Sequence, residues 1–140
     1  MTKEKKITGN YGEELAAQFL KKRGYKVIER NKKNKLGEID ILAADFRRHP
    51  ERSRKVSLLD QIFRRRPIIV IVEVKTKSGR DFGEGWEMVN YYKRKKLLLL
   101  AKSLQKDYPK SVVRIDIVSI DTSVGPPEIR HFENAVEESS

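Results

Sequence analysis

The 140-residue sequence has no cysteine, so it can form neither a disulfide framework nor a zinc site with thiolate ligands. Its longest apolar runs, such as IIVIV at 68–72, are far too short to cross a bilayer. The start of the chain, MTKEKKITGN, has no apolar core of the kind that a secretory signal requires. These absences predict a soluble cytoplasmic protein that is stabilised by a hydrophobic core rather than by covalent cross-links.

Positive charge is in excess, because 31 Lys and Arg stand against 20 Asp and Glu and give a formal net charge of +11. The segment 46–66 carries eight of the bases and only two acids, which leaves +5 for the other 119 residues. Such a balance is typical of proteins that bind nucleic acid, although surplus lysine and arginine also serve solubility alone. We interpret 46–66 as a basic insert that is either a surface excursion or an arm contacting nucleic acid.

Hydrophobic periodicity predicts a helix over 10–23 and a second helix within 86–108. Strands are predicted at 25–31, 38–45, 68–77 and 112–121, and 129–135 is a candidate for a short edge strand. The order of helix, three strands, helix and strand predicts one α/β (α+β) domain over 1–140, with a mixed central sheet flanked by helices. The second helix is placed to cross over to a parallel fourth strand.

The strand at 68–77 carries Glu73 and Lys75 two residues apart, and therefore on one face. The preceding strand carries Glu38 and Asp40 at the same spacing. If the two strands are neighbours, Asp40 and Glu73 point into one space, where two carboxylates repel each other unless a cation lies between them. Oxygen ligands favour Mg²⁺ or Mn²⁺. The alternative is a structural Glu73–Lys75 ion pair at the exposed end of the strand.

This arrangement resembles the active site of the PD-(D/E)xK nucleases, whose acid–x–lysine triplet matches Glu73-Val74-Lys75. Asp40 matches the upstream acid of that site, and Ile39 stands where the superfamily's name has a proline. The strings GEELAAQFLKKRGYKVIERN, GEIDILAAD, VIVEVKTK and RIDIVSID further resemble the bacterial YraN family, which is assigned to the restriction-endonuclease-like fold. That family usually spans the insert position with a short turn.

The resemblance implies a metal-dependent endonuclease that hydrolyses phosphodiester bonds in DNA, with structured or branched DNA among the candidate substrates. Asp40, Glu73 and Lys75 would be the catalytic residues. Mg²⁺ or Mn²⁺ would be held by Asp40, Glu73 and the backbone carbonyl of Val74. Cutting two strands across a junction would call for a homodimer with two symmetry-related sites.

Holliday-junction resolvases of the same superfamily carry a metal-site glutamate on their N-terminal helix, eleven residues before a Gly-aromatic pair. In this sequence Glu13 stands eleven residues before Gly24-Tyr25. Helical phase places Glu13 at the border of the apolar stripe and Glu14 on the solvent side. We therefore predict Glu13 as a metal ligand, with a simple helix-dipole contact of both acids as the alternative.

Two further residues are candidates for the site. Glu38 is either a second ligand or a charge at the strand end, and Lys93 either contacts a phosphate or lies on a solvated helix face. Tyr91 and Tyr92 adjoin the basic run KRKK, a combination that can stack nucleic-acid bases.

Two other functions remain open: a non-catalytic nucleic-acid-binding accessory protein with a vestigial nuclease site, and a protein–protein module in which Glu73 and Lys75 are structural.

Overall fold

A computed structural model of the chain describes residues 3–47, 66–77, 90–123 and 125–138. Within these ranges it contains two helices, α1 (Lys3–Lys22) and α2 (Tyr91–Asp107). It also contains five strands, β1 (Tyr25–Asn34), β2 (Gly37–Asp45), β3 (Ile68–Lys77), β4 (Val113–Asp121) and β5 (Glu128–Phe132). The predicted α+β class and element order are confirmed, and the fifth strand overlaps the candidate segment 129–135 but begins one residue earlier, at Glu128.

The strands form one mixed sheet in the order β1-β2-β3-β4-β5. β1, β2 and β3 are successive antiparallel neighbours, β3 and β4 are parallel, and β4 and β5 are antiparallel. A parallel neighbour cannot be reached through a tight turn, so the chain passes through α2 between β3 and β4, as predicted. The neighbouring arrangement of β2 and β3, on which the site prediction depends, is confirmed.

The two helices cover opposite faces of the sheet. Since side chains alternate along a strand, Val70 and Val72 of β3 belong to one core and Ile69 and Ile71 to the other. The first core is closed by small and leucine side chains of α1, namely Ala16, Ala17 and Leu20. The second is closed by leucines at helical spacing on α2, namely Leu97, Leu100 and Leu104. β3 is therefore buried on both faces, which explains its unbroken apolar run.

Two predicted boundaries are wrong. The first strand is predicted to end at residue 31, but β1 continues to Asn34, and only two residues, Lys35 and Leu36, separate it from β2. The Asn34 side chain accepts hydrogen bonds from the backbone N–H groups of Leu36 and Gly37, at 2.8 and 3.1 Å, and so closes the turn locally. The first helix begins at Lys3 rather than at residue 10.

Two predictions fall wholly or partly outside the described residues. Of the predicted insert, Phe46, Arg47 and Arg66 are described, whereas 48–65 are not. The beginning of the predicted second helix, 86–89, is likewise outside; α2 starts after Asn90, whose side chain caps it. None of the helices in the described part of the chain has the length and apolar character needed to span a membrane.

Candidate active site

A fork in the sheet separates β2 from β3 near one end. Pairing between the two strands ends at Ile41 and Val72. Beyond this point β2 stays paired with β1 as far as Gly37, while β3 stays paired with β4 as far as Lys77. The two strands that part here carry Asp40 and Glu73, the next residues on each, so the acids line the gap. We call this region the strand fork and define it by Asp40, Glu73 and Val74.

Asp40 bridges the strand fork with its side chain. Its carboxylate Oδ2 accepts a hydrogen bond from the backbone N–H of Val74 at 2.9 Å, where a strand-to-strand backbone bond would otherwise lie. The N–H and C=O groups of one residue in a strand point to the same side. The carbonyl of Val74 therefore faces the fork as well, which is the orientation that a ligand role requires.

Glu73 is buried and forms ion pairs with two lysines. Only 6% of its side chain is exposed, and its Oε1 lies 3.6 Å from Nζ of Lys75 and 3.1 Å from Nζ of Lys93. Lys75 belongs to the same strand face, whereas Lys93 reaches over from the first turn of α2. Asn90 fixes that turn, because its side chain accepts a hydrogen bond from the backbone N–H of Lys93 at 2.9 Å.

Glu13 lies on α1, which covers the face of the sheet opposite to α2, and its charge acts on Asp40. Its Oε2 is buried, and among the described residues it has no hydrogen-bond partner. Gly12 allows the close approach of α1 to β3, since a Cβ at that position would overlap Oγ1 of Thr76 on β3. Glu14, by contrast, is exposed and forms an ion pair with Arg30 at 2.6 Å. The two neighbouring acids therefore lie on the sides of α1 that their helical phase predicts.

Negative charge is in excess around Asp40. Burial and the nearby carboxylate of Glu73 raise the pKa of Asp40 to about 7, and Glu13 adds to this effect. The Val74 N–H and Lys93 act in the opposite direction without cancelling it. A carboxyl group with such a pKa is poised between its neutral and charged forms near physiological pH. It would be held in the charged form by an added cation.

The donor set of the strand fork fits a divalent cation in its chemistry. Carboxylates from three elements and a backbone carbonyl are oxygen donors of the type that Mg²⁺ and Mn²⁺ prefer, and one carboxylate oxygen of Glu13 is buried without a partner. In residues 3–47, 66–77, 90–123 and 125–138, however, no three acidic or histidine side chains are already close enough together to hold a metal ion. The carboxylates would have to draw together on binding.

The structure brings most of the predicted site residues to the strand fork. Asp40, Glu73 and Lys75 meet there, Val74 provides its backbone, and Glu13 acts on Asp40 from α1. Lys93 contacts Glu73 directly, which the sequence did not indicate. Glu38 does not share this environment: it is exposed, and its register partner is Lys33 on β1.

A second charged cluster, which we did not predict, lies on the same sheet, where residues of β1, β2, β4 and β5 meet. We call it the buried ion network and define it by seven residues: Tyr25, Asp45, Arg47, Arg114, Asp116, His131 and Glu133. The Arg114 guanidinium donates to both oxygens of Asp116, at 2.7 and 2.9 Å, and lies 3.2 Å from Asp45. His131 Nε2 lies 2.8 Å from Asp116, and Arg47 binds Asp45 at 3.0 Å. The signal for this network was the Arg114–Asp116 pair on an otherwise apolar strand.

The acids of the buried ion network are fully compensated. Burial opposes ionisation of Asp45, but hydrogen bonds and charge from Arg47 lower its pKa to about 2. Burial likewise opposes ionisation of Asp116, yet hydrogen bonds from His131 and Arg114 hold its pKa below the ordinary value. The same arginines donate to the hydroxyl of Tyr25, at 2.6 Å from Arg47 and 2.8 Å from Arg114. These contacts tie the ends of four strands together, a structural role.

Comparison with known proteins places the chain in a family. The model of the "Uncharacterised protein family UPF0102" matches residues 12–120, a range that includes every residue of the strand fork. A UPF0102 protein of Desulforamulus reducens is 33% identical over 141 residues, covering 97% of this chain and 100% of the relative.

Two further relatives agree with this assignment. The UPF0102 protein THEYE_A1950 of Thermodesulfovibrio yellowstonii is 36% identical over 131 residues, covering 91% of this chain and 93% of the relative. A UPF0102 protein of Flavobacterium johnsoniae is 36% identical over 135 residues, with 91% of each chain covered. The YraN-like resemblance seen in the motifs is confirmed at the level of the family, and the chain belongs to the uncharacterised protein family UPF0102.

Proposed function

We propose that this protein is a metal-dependent endonuclease of the PD-(D/E)xK type that acts on DNA. The observation that carries the proposal is the strand fork, where Asp40 and Glu73 face one gap with Lys75 beside them. Asp40 is largely buried beside Glu73 and its donors do not fully compensate its charge, which is costly to a fold. Such an arrangement is typical of sites that are kept for chemistry.

In this proposal each residue of the strand fork has a distinct role. Asp40, Glu73, Glu13 and the Val74 carbonyl would hold Mg²⁺ or Mn²⁺, which would polarise the phosphodiester and favour ionisation of a nearby water. Lys75, already 3.6 Å from Glu73, would orient the attacking water and counter the negative charge that develops on the phosphate. The Val74 N–H keeps the carboxylate of Asp40 directed into the gap.

The surface around the strand fork supports a nucleic-acid substrate. Tyr91 and Tyr92, at the start of α2, are 62% and 80% exposed, and Lys93 follows them directly. The end of β1 and the turn that follows it contribute further positive charge from Lys33 and Lys35, both exposed. Phosphates bind lysine through charge, and exposed aromatic rings offer faces on which unpaired bases stack. This combination favours DNA that contains unpaired nucleotides, such as a branched or flapped form.

A non-catalytic, nucleic-acid-binding role is the second candidate. It is favoured by one observation, namely that the carboxylate of Glu73 is already neutralised by Lys75 and Lys93. In that case the acids of the strand fork would be the remains of a nuclease site, and binding would depend on salt rather than on a divalent ion.

A cleavage assay distinguishes the two candidates. Labelled linear, nicked, flapped and four-way-junction DNA, together with single-stranded RNA, would be incubated with Mg²⁺, Mn²⁺ or EDTA. We expect metal-dependent cleavage by the wild type and its loss in Glu73→Gln. Glu128→Gln is the matched control, because Glu128 is exposed and pairs with Arg130 on the edge strand β5, away from β2 and β3. Equal cleavage by the wild type and Glu73→Gln would refute the assignment, and binding without cleavage under every condition would favour the second candidate.

A further inference from the structure

We propose that Lys93 and a divalent cation compete for the carboxylate of Glu73, and that Lys93, once released, binds a phosphate of the substrate. The inference rests on the proposed function, and it concerns how cation binding and substrate binding at that site are connected. Lys93 would therefore pair with Glu73 when no cation is bound and would bind a substrate phosphate when a cation is bound.

The competition follows from the geometry around one oxygen atom. Lys93 Nζ lies 3.1 Å and Lys75 Nζ 3.6 Å from the same Oε1 of Glu73. Glu73 is almost completely buried, so the charges interact with less screening than they would at the surface. A cation with two positive charges that joins this carboxylate repels both ammonium groups. At least one of them must then move away.

Lys93 is the one free to leave. Lys75 is bound to the strand that carries Glu73 and lies two residues from it, so its side chain stays near the carboxylate. Lys93 comes from a separate element, and 36% of its side chain is exposed. Its backbone is fixed by the cap at Asn90, whereas its four-carbon side chain can turn toward solvent without moving α2.

The surroundings of Lys93 favour a phosphate as its next partner. The first turn of α2 contains no acidic residue that would capture the released ammonium group. Lys93 directly follows the exposed Tyr91 and Tyr92 in the chain, and its side chain reaches Glu73 at the strand fork, where the substrate is proposed to bind. Cation binding therefore supplies a positive charge to the substrate side of the site, and the two binding events become positively coupled.

The first test measures Mn²⁺ binding to the free protein by titration calorimetry, with no nucleic acid present. We expect Lys93→Met to bind Mn²⁺ about tenfold more tightly than the wild type, because a partly exposed competing charge has been removed. Lys93→Arg keeps the charge and should retain the wild-type affinity. Lys102→Met is the matched control, since Lys102 lies on the same helix and pairs with Glu138 at 2.9 Å, far from the strand fork.

The second test measures the affinity for flapped DNA with EDTA and with Ca²⁺, an ion of the same charge that also prefers oxygen ligands. Ca²⁺ should raise the affinity of the wild type, and the rise should be smaller for Lys93→Met. An equal loss of affinity with and without Ca²⁺ would show that Lys93 only adds charge, and would overturn the coupling.

The outcomes separate this inference from the proposed function. If the wild type binds Mn²⁺ and cleaves DNA but Lys93→Met binds Mn²⁺ no more tightly, the competition is overturned and the proposed function stands. If neither the wild type nor Lys93→Met binds Mn²⁺, both are overturned. Tighter binding by Lys93→Met alone supports the competition.

Discussion

The two charged clusters of this protein lie on one sheet and differ in how their acids are compensated. In the buried ion network, Asp45 and Asp116 are surrounded by donors, and their pKa values lie below the ordinary range. At the strand fork, Asp40 receives one backbone hydrogen bond and two repulsive neighbours, and its pKa rises to about 7. The acids of the buried ion network are thus compensated by donors within the fold, whereas Asp40 at the strand fork is compensated only in part.

The comparison shows why burial of an acid does not by itself reveal function. Asp116 is more completely buried than Asp40, yet all its interactions are accounted for within the fold. What distinguishes the strand fork is the balance of donors and acids, which becomes visible only when the partners of each oxygen are known. Substitutions in the two clusters and in the neighbouring helix α1 test this distinction.

Asp116→Asn should give the largest effect. Removing this charge leaves Arg114 buried without its main partner, and loss of one member of a buried ion pair costs roughly 3–5 kcal/mol. The free energy of unfolding, measured with urea at pH 7, should fall by that amount. Asp121→Asn on the same strand is the control, because Asp121 is not buried and its hydrogen bonds run locally to Ser123. Equal stability of the two variants would contradict the assignment of a structural role to the network.

Asp40→Asn should raise the free energy of unfolding, which is the opposite of the effect expected for Asp116→Asn. Because the pKa of Asp40 is raised from 3.8 to about 7, the folded state binds the proton more tightly than the unfolded state does. Its contribution to stability therefore declines as the pH rises from about 4 to about 7. The asparagine variant avoids this decline and should be more stable than the wild type at pH 8 by on the order of 1–3 kcal/mol.

The difference between Asp40→Asn and the wild type should vanish as the pH falls toward about 4, where the aspartate is protonated in both states. Urea unfolding at pH 8 and near pH 4.5 measures the difference in unfolding free energy at both ends of the range in which Asp40 loses its proton, roughly as linkage requires. A variant less stable than the wild type at pH 8 would show that Asp40 is compensated after all.

Gly12→Ala should have a moderate effect. Alanine favours a helix over glycine, but the new Cβ would overlap Oγ1 of Thr76, so overpacking should outweigh the gain by about 1–2 kcal/mol. Gly12→Ala combined with Thr76→Ala should recover most of the loss, since the overlapping hydroxyl is then gone. Additive losses in this double-mutant cycle would mean that the close approach of α1 to β3 does not depend on Gly12.

Glu14→Gln should have the smallest effect on stability. Glu14 is exposed and its pair with Arg30 is screened by solvent, so little change is expected in urea unfolding. Glu13→Gln should also leave the fold intact but weaken Mn²⁺ binding, because Glu13 has a buried oxygen without a hydrogen-bond partner among the described residues and its charge acts on Asp40. Equal Mn²⁺ affinities of the two variants would remove Glu13 from the proposed ligand set.

The parts of the site that follow from local patterns were predictable from the sequence. Asp40 and Glu73 lie on consecutive strands. The two-residue spacing of Glu73 from Lys75, and of Glu38 from Asp40, indicates that the two members of each pair share one face of their strand. Glu13 could be placed because the apolar stripe of α1 fixes the rotation of the helix. The element order was predictable for the same reason, since each helix and strand has a clear hydrophobic period.

The parts that depend on distant pairings were not predictable. The strand fork is created by the residue at which β2 and β3 stop pairing, and no local signal marks that point. The buried ion network joins Tyr25 to Asp116 and His131, which are about a hundred residues away along the chain. The contact between Lys93 and Glu73 depends on how α2 lies on the sheet, which helical periodicity alone does not determine.

The open edge of the sheet along β1 is interrupted in several ways. The register of β1 shifts between Val27 and Glu29, and Asn31 adopts a left-handed backbone with φ of 53°. Exposed lysines such as Lys26 and Lys33 lie on the same strand. A regular, uncharged edge is a template for pairing with other chains and for aggregation, and this edge is protected against both. If two copies of the protein associate on a branched substrate, we expect them to meet through helices rather than through a sheet shared across β1.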